Sequence, residues 1–195
     1  MAEKTVDRKD QILQTLAQML ENPAGEKVTT AALAARLKVS EAALYRHFKG
    51  KAEMFEGLIE FIEHALFGLI NRISSDEQSG LRQLEAMMAI LLAFAQKNRG
   101  MTRVLIGDAL VNEDERLQAR ISQLHERLEA ALKQALRFGV GQKEFAEDVD
   151  IGAQANLLMS FVVGRWHLFA KSGFRRDPAE LWSKQWRLLM EGIIA

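Results

Sequence analysis

Residues 28–51 read VTTAALAARLKVSEAALYRHFKGK. Their apolar side chains recur at three- and four-residue spacing, first at Leu33 and Leu37 and then across residues 41–48. Residues spaced in this way share one face of a helix, so the pattern predicts two short helices. Only residues 38–40 connect them. A tight connection between two short helices is typical of a helix-turn-helix motif, which we expect to pack against a preceding helix.

Polar residues at the start of each short helix support these boundaries. Thr29 or Thr30 can accept a backbone hydrogen bond as the N-cap of the first helix, and Ser40 can do the same for the second. At 100° per residue, Leu44 and Phe48 lie within 40° of each other on the second helix. These two side chains are therefore expected to face the core.

The opposite face of the second helix carries small residues and a cation. Ala42 and Arg46 point directly away from the core face, and Ala43 and Tyr45 flank them. Alanines allow a helix axis to approach base edges and touch thymine methyl groups, and an arginine can reach a guanine edge or a phosphate. This face therefore has the features of a helix that binds in the DNA major groove and contacts the bases.

The net charge of the chain is zero, with 26 basic and 26 acidic residues, but the charges are unevenly distributed. Residues 27–51 contain six cations and a single acid, Glu41, a balance of +5 that leaves −5 for the rest of the chain. The cations are Lys27, Arg36, Lys38, Arg46, Lys49 and Lys51. Such clusters also arise by chance, and helix-turn-helix units occur in proteins that bind no DNA. Because the cations bracket the outward face, we predict double-stranded DNA as the partner.

Helical spacing of apolar residues continues along the whole chain, and no segment alternates with a period of two, so we expect an all-α protein. The predicted helices outside the motif cover approximately residues 8–20, 51–73, 81–97, 101–110, 112–138, 148–171 and 177 onward.

Three helix boundaries have local signals. Residues 22–25, which include a proline and a glycine, are expected to stop the first helix. Asn112 and Glu115 form a capping-box pattern for the longest predicted helix. Asp177, followed by a proline, is expected to cap the last helix.

The composition argues against several classes of function. The chain has no Cys, and its four His lie on four different predicted helices, so no metal site, catalytic residue or cofactor is predicted and we expect no enzyme. The longest apolar run covers only residues 86–95, about half of what a membrane span needs, and the N-terminus is polar. A cytoplasmic protein without membrane attachment is expected.

Four aromatic residues in the last predicted helices allow two interpretations: Phe161, Trp166, Trp182 and Trp186. They could line a ligand cavity or pack a dimer interface. The convergent polar groups of a ligand site are not evident among their neighbours, so we predict that these four residues form a dimer interface.

Residues 28–30, 33–34, 39–48 and Lys51 closely resemble the DNA-binding domain of the TetR family of regulators. The resemblance implies about nine helices, with a helix-turn-helix domain at residues 1–51 and a helical dimerisation and partner- or ligand-binding domain at residues 52–195. It also implies a homodimer formed through the last two helices.

The same resemblance assigns contacts to DNA. Thr29, Thr30, Tyr45, His47 and Lys51 would contact phosphates, and Ala42, Ala43 and Arg46 would face the bases. Ser40 and Lys49, from the cap and the charge cluster, complete the candidate DNA-binding set.

Beyond this domain, residues 55–63, 98–107 and 116–127 resemble the nucleoid occlusion factors within the family. This implies binding to chromosomal sites on the nucleoid and inhibition of the division protein FtsZ. A groove for that partner is expected where the helix of residues 51–73 meets the next helix. Its candidate residues are Phe61, Phe94, Lys97 and Asn98. Phe61 lies outside the core stripe of its helix, which burial of a second helix face within the bundle would also explain. The alternative is a transcriptional repressor released by a small-molecule effector.

Overall fold

The computed structural model describes residues 8–22 and 28–195, and over these residues the regular elements are helices, with an isolated β-bridge between Phe145 and Ile194. The elements are α1 Arg8–Leu20, α2 Thr30–Leu37, α3 Glu41–Tyr45, α4 Lys51–Asp76, α5 Gly80–Lys97, α6 Arg99–Leu105, a 3₁₀ turn Asp108–Leu110, α7 Glu115–Gly141, α8 Ile151–Lys171 and α9 Trp182–Met190. The all-α prediction is confirmed. Lys27 and most of the predicted stop at residues 22–25 lie outside the described residues.

The first three helices and the start of α4 form one unit around a small core. Ile12 and Leu16 of α1 are buried with Leu33 of α2 and Leu44 of α3. Phe48, just beyond α3, is also buried, as its position on the predicted wheel requires. The sequence prediction for this core is confirmed.

The second short helix is shorter than predicted. It ends at Tyr45 instead of continuing to residue 48, and the backbone is extended at Gly50, immediately before α4. The backbone N–H groups of His47 and Phe48 still donate to the Leu44 carbonyl, at 2.9 and 3.0 Å. This tightened turn keeps Phe48 on the inner face.

The remaining helices form the larger bundle, in which α5, α7 and α8 pack on one another. Trp166 of α8 is fully buried there, and its indole N–H donates to the carbonyl of Leu91 at 3.0 Å. The His125 ring of α7 lies 5.9 Å from that of Trp166, with Nε2 2.9 Å from the Leu105 carbonyl oxygen. Burial lowers the pKa of His125, which favours a neutral ring that donates this hydrogen bond.

Two predicted helix starts are wrong. Asn112 adopts a left-handed conformation with φ of +67°, and Asp114 caps α7 instead, accepting from the Arg116 N–H at 3.1 Å. Asp177 caps only a turn, by accepting from the Ala179 N–H at 2.8 Å, and α9 begins at Trp182. In both places a short turn precedes the helix, and the predicted cap residue belongs to that turn.

The helix α1 meets α6 of the larger bundle at a backbone-to-backbone contact. A Cβ atom on Gly100 would lie 1.8 Å from the Ala17 carbonyl oxygen, so only glycine fits there. Beside it, the Arg103 guanidinium donates to the Leu20 carbonyl at 3.1 Å and to the Asp108 carboxylate at 2.7 Å. Burial of Asp108 raises the pKa of this carboxyl, but Arg103 and Lys171 outweigh burial and hold the pKa below its usual range.

Replacement of Gly100 by alanine should separate α1 from α6. We expect the free energy of unfolding to fall by about 2–3 kcal/mol in G100A, since the overlapping atom is backbone and the helices themselves must shift. Urea unfolding followed by circular dichroism measures this loss. The control is G68A, where the added Cβ meets open space, and alanine in this exposed helical position should be neutral or stabilise by about 0.5–1 kcal/mol. Equal stabilities of the two variants would contradict the close contact.

Candidate nucleic-acid interface

Side-chain caps position the first turns of both short helices. The Thr29 hydroxyl accepts from the Ala32 N–H at 3.1 Å, and the Ser40 hydroxyl accepts from the Ala43 N–H at 3.3 Å. Both caps lie on exposed loops. The remaining N–H groups at such helix starts can bind phosphate oxygens, since the helix N-terminus carries partial positive charge.

A hydrogen bond between Thr30 and Glu41 joins the two helix starts. The Thr30 hydroxyl donates to Glu41 Oε2 at 2.7 Å, and both residues are the first of their helices. The bond ties α2 to α3 at the surface expected to face DNA. Glu41 is the only acid among residues 27–51, and it forms no ion pair with the cations of residues 28–51.

The outward face of α3 is placed as predicted. Ala42 and Arg46 are exposed, Tyr45 is 48% exposed, and Ala43 is half-buried. His47, in the turn that follows, is half-buried as well. A helix with small residues on its outward face can enter a groove more deeply than one with long side chains, because its axis approaches the bases closely.

The cations of the segment differ in their pairing. Among the ion pairs of the described residues, none involves Arg46 or Lys49, whose side chains remain available to phosphate. Lys51 instead forms an ion pair with Glu113, from the loop that precedes α7. The sequence analysis did not single out Glu113, since no local pattern connects residues 62 positions apart.

The four candidate partner residues lie in different surroundings. Lys97 is exposed and Asn98 half-buried, and both line a cleft of about 190 Å³ together with residues of α1. The Asn98 side-chain amide donates to the Phe94 carbonyl at 2.8 Å, and the Phe94 ring itself is only 9% exposed. Phe61 on α4 is half-buried and does not line this cleft.

Phe61 nevertheless lies level with Lys97 along the bundle. Residues 77–79 connect α4 to α5, so the two helices run in opposite directions. Phe61 precedes this connection by 16 residues and Lys97 follows it by 18. At 1.5 Å per residue, both lie about 25 Å from it.

Two of the predicted dimer residues are core residues of a single chain. Trp166 has no exposed surface, and Trp186 is 8% exposed. The predicted direct contact of these two side chains with a second copy is therefore wrong, because both are buried within the single chain and the Trp166 indole is already bonded to the Leu91 carbonyl of α5. Phe161 and Trp182 remain half-buried, with ring centroids 6.3 Å apart.

Around that aromatic pair, α8 and α9 expose apolar side chains. Leu157 and Leu168 of α8 are 51% and 45% exposed, and Leu188 of α9 is 68% exposed. Between them, a Cβ on Gly164 would meet open space. We call the surface formed by Leu157, Phe161, Gly164, Leu168, Trp182 and Leu188 the α8–α9 face. Apolar surfaces of this kind mark protein interaction sites.

Each helix within residues 8–22 and 28–195 is too short or too polar to span a lipid bilayer. Over the same residues, His, Cys, Asp and Glu form no cluster of three that could hold a metal ion.

Two protein families match the chain. Residues 12–58 match the family described as bacterial regulatory proteins, tetR family. Residues 78–193 match the SlmA-like family described as tetracyclin repressor-like, C-terminal domain. The gap between the two matches, residues 59–77, is filled almost entirely by the second part of α4, which ends at Asp76.

Curated relatives extend over the full chain. The nucleoid occlusion factor SlmA of Idiomarina loihiensis is 46% identical over 195 residues, covering 100% of both chains. The protein of the same name from Alteromonas mediterranea is 49% identical over 185 residues, covering 95% of each.

Solved structures share the fold at low identity. The fatty acid degradation regulator FadR from Bacillus halodurans has a TM-score of 0.81 at 14% identity, covering 97% of this chain and 98% of its own. A TetR transcription regulator from Haloarcula marismortui also has a TM-score of 0.81, at 17% identity, covering 97% and 99%. These similarities show the fold.

Two substitutions on the interface should affect DNA binding differently. R46A should weaken binding to a selected duplex by about 1–3 kcal/mol and relax base preference, since this side chain lies on the face directed at base edges. K49A should weaken binding to all duplexes and make the negative slope of log K against log salt shallower by about 0.9, the value for one phosphate contact. Fluorescence anisotropy over a series of salt concentrations measures both effects.

The control for this pair is K184A, an equal charge change at an exposed position of α9. It should leave affinity and slope unchanged. If R46A lost affinity equally for selected and scrambled duplexes, the base-reading role of Arg46 would be wrong.

Proposed function

The chain belongs to the TetR family of bacterial regulatory proteins, and from this premise we propose that it is a nucleoid occlusion factor. In this function, a homodimer binds specific chromosomal sites and inhibits assembly of FtsZ into a ring over the nucleoid. The chain is a DNA-binding regulator and not an enzyme.

One observation carries the proposal: the similarity to nucleoid occlusion factors covers the complete chain at 46% identity. TetR-family members share the helix-turn-helix and differ in the larger domain. A match confined to residues 12–58 would support DNA binding alone. Similarity of the larger domain, at residues 78–193, supports the more specific function.

The charge distribution supports the orientation of the complex. The DNA-binding segment is positive within a chain of zero net charge, so the remaining bundle is negative on balance. A negative bundle is repelled by the phosphate backbone, and the positive segment is attracted to it. The electrostatic field thus favours binding with α3 towards the DNA.

A dimer gives the recognition helix a second copy at the spacing that DNA requires. Successive major grooves on one side of a duplex are about 34 Å apart, and two-fold-related helices can occupy both. We propose the α8–α9 face as the dimer interface, because it is the apolar surface that the bundle leaves exposed around Phe161 and Trp182.

Disruption of this face should produce monomers. We expect L188E to shift the chain from dimer to monomer at micromolar concentration, since a carboxylate would be buried at an apolar interface. Sedimentation velocity measures the shift, and affinity for a palindromic duplex should fall with it. The control V111E places the same charge at another exposed apolar side chain, 62% exposed, in the loop before α7. A dimer that persists in L188E would contradict this interface.

For FtsZ, we propose a surface at the end of α5 and the facing part of α4, with Lys97, Asn98 and Phe61. Lys97 is exposed and lines a cleft with Asn98, and the helix lengths put Phe61 at a similar distance from the connection between α4 and α5. Phe94 supports this surface from below, since its carbonyl holds the Asn98 side chain and its ring is largely buried. The contact between α1 and α6 at Gly100 lies beside Lys97 and Asn98 and connects this surface to the DNA-binding unit.

The function predicts that DNA and FtsZ bind with positive linkage. A DNA duplex selected for binding to the wild-type chain should increase the affinity of the chain for FtsZ. FtsZ should increase the affinity of the chain for that duplex by the same factor. K97E should weaken FtsZ binding by about tenfold, because it reverses the charge of a side chain on the proposed FtsZ surface. DNA binding should stay intact, because this side chain is not part of the DNA-binding surface. Co-sedimentation of FtsZ polymers with labelled duplex measures both.

R137E, a charge reversal at an exposed position of α7, is the control for K97E. A folded K97E protein with wild-type FtsZ binding would contradict the proposed surface. If FtsZ had no effect on DNA binding and a small molecule released the DNA, the chain would instead be a ligand-responsive repressor.

A further inference from the structure

Lys51 and Glu113 join the DNA-binding unit to the larger bundle through an ion pair. Lys51 is the first residue of α4, and Glu113 lies between the 3₁₀ turn and α7. Their side chains are 27% and 20% exposed, so the contact is partly shielded from water. We call this contact the domain-bridging pair.

The ion pairs between α4 and α7 have the opposite polarity. Glu56 pairs with Arg116 at 3.5 Å, and Glu63 pairs with Arg120 at 2.8 Å, so in each case the acid is on α4 and the arginine on α7. The domain-bridging pair places the cation on α4 instead, at the end next to the helix-turn-helix. Its lysine therefore lies within reach of both an internal carboxylate and the expected path of DNA.

A phosphate oxygen and a carboxylate oxygen are competing acceptors for one ammonium group. If the lysine stays with Glu113, the carboxylate reduces the positive charge offered to DNA and repels an approaching phosphate. If the lysine turns to a phosphate, it first loses its carboxylate partner. In either case, Glu113 lowers the affinity for DNA relative to an uncharged residue of the same shape.

We propose that Glu113 is a positioning residue for DNA binding, which holds Lys51 in the free protein and releases it to a backbone phosphate in the complex. This inference rests on the proposed DNA-binding function and goes beyond it by naming an internal competitor for one phosphate contact. The transfer leaves Glu113 unpaired one residue before Asp114, the cap of α7. DNA occupancy thus changes the electrostatic surroundings at the start of a helix in the larger bundle.

The test is a double-mutant cycle in the full chain with E113Q, K51Q and the combined variant. A labelled duplex selected on the wild-type chain is titrated by anisotropy over a series of salt concentrations. E113Q should bind this duplex about three- to fivefold more tightly, the range for loss of a modest ion pair. The same change in the K51Q background should give a clearly smaller gain, since the contested ammonium is absent and only the repulsion between the carboxylate and phosphate is relieved.

The salt dependence separates transfer from a purely structural role. K51Q should reduce the slope of log K against log salt by about 0.9, because one lysine–phosphate contact is lost. A wild-type slope in K51Q would show that Lys51 never reaches DNA and would overturn the proposal.

The matched control is E115Q, which removes the same charge two residues away. Glu115 is exposed and takes part in none of the ion pairs within the described residues. Its affinity should equal that of the wild-type chain. The proposal is overturned if E113Q binds no more tightly than wild type, or if E115Q or the K51Q background shows the same gain. If the wild-type chain bound no selected duplex in a salt-dependent manner, the DNA-binding function would fail first, and this inference with it.

Discussion

The structure depends on one continuous helix that must be buried in two places at once. Near its start, Phe55 and Leu58 of α4 are buried with the core of the DNA-binding unit, and further along Ile62 and Leu66 are buried as well. A Cβ on Gly57 would lie 3.1 Å from the Phe48 ring, so the helix-turn-helix packs closely on this helix. A helix of 26 residues spans about 39 Å and bends little, so it sets the direction in which the recognition helix points.

Two further contacts limit how the DNA-binding unit can rotate about α4. On one side, the backbone of α1 touches α6 at Gly100, and Arg103 donates to the last carbonyl of α1. On another side, the domain-bridging pair connects the start of α4 to the loop before α7. The close approach at Gly100 is steric and independent of salt, whereas the pair of Lys51 and Glu113 is electrostatic and sensitive to phosphate. DNA can therefore act on one of them without breaking the other, a basis for coupling between DNA and a partner on the bundle.

Local patterns predicted the DNA-binding unit well. Leu44 and Phe48 are buried and Ala42 and Arg46 exposed, because helical periodicity places each side chain relative to neighbours three or four residues away. Helix ends were less predictable. Asn is a common N-cap residue, yet Asn112 lies in a turn and Asp114 caps the helix instead. Which of several nearby polar residues becomes the N-cap depends on the path of the preceding loop. That path is set by tertiary packing and not by the local sequence.

The sequence by itself determined the helical class of the protein, the helix pair, the outward face of α3 and the positive segment around it. These features follow from spacing within a few residues and from counting charges. Tertiary structure alone decided that Trp166 is enclosed in the bundle while Phe161 remains at its surface, and that Lys51 meets Glu113. The physical reason is that burial and ion pairing across 62 positions arise only when separate helices pack, and the spacing of residues along one helix does not show which of its sides another helix covers.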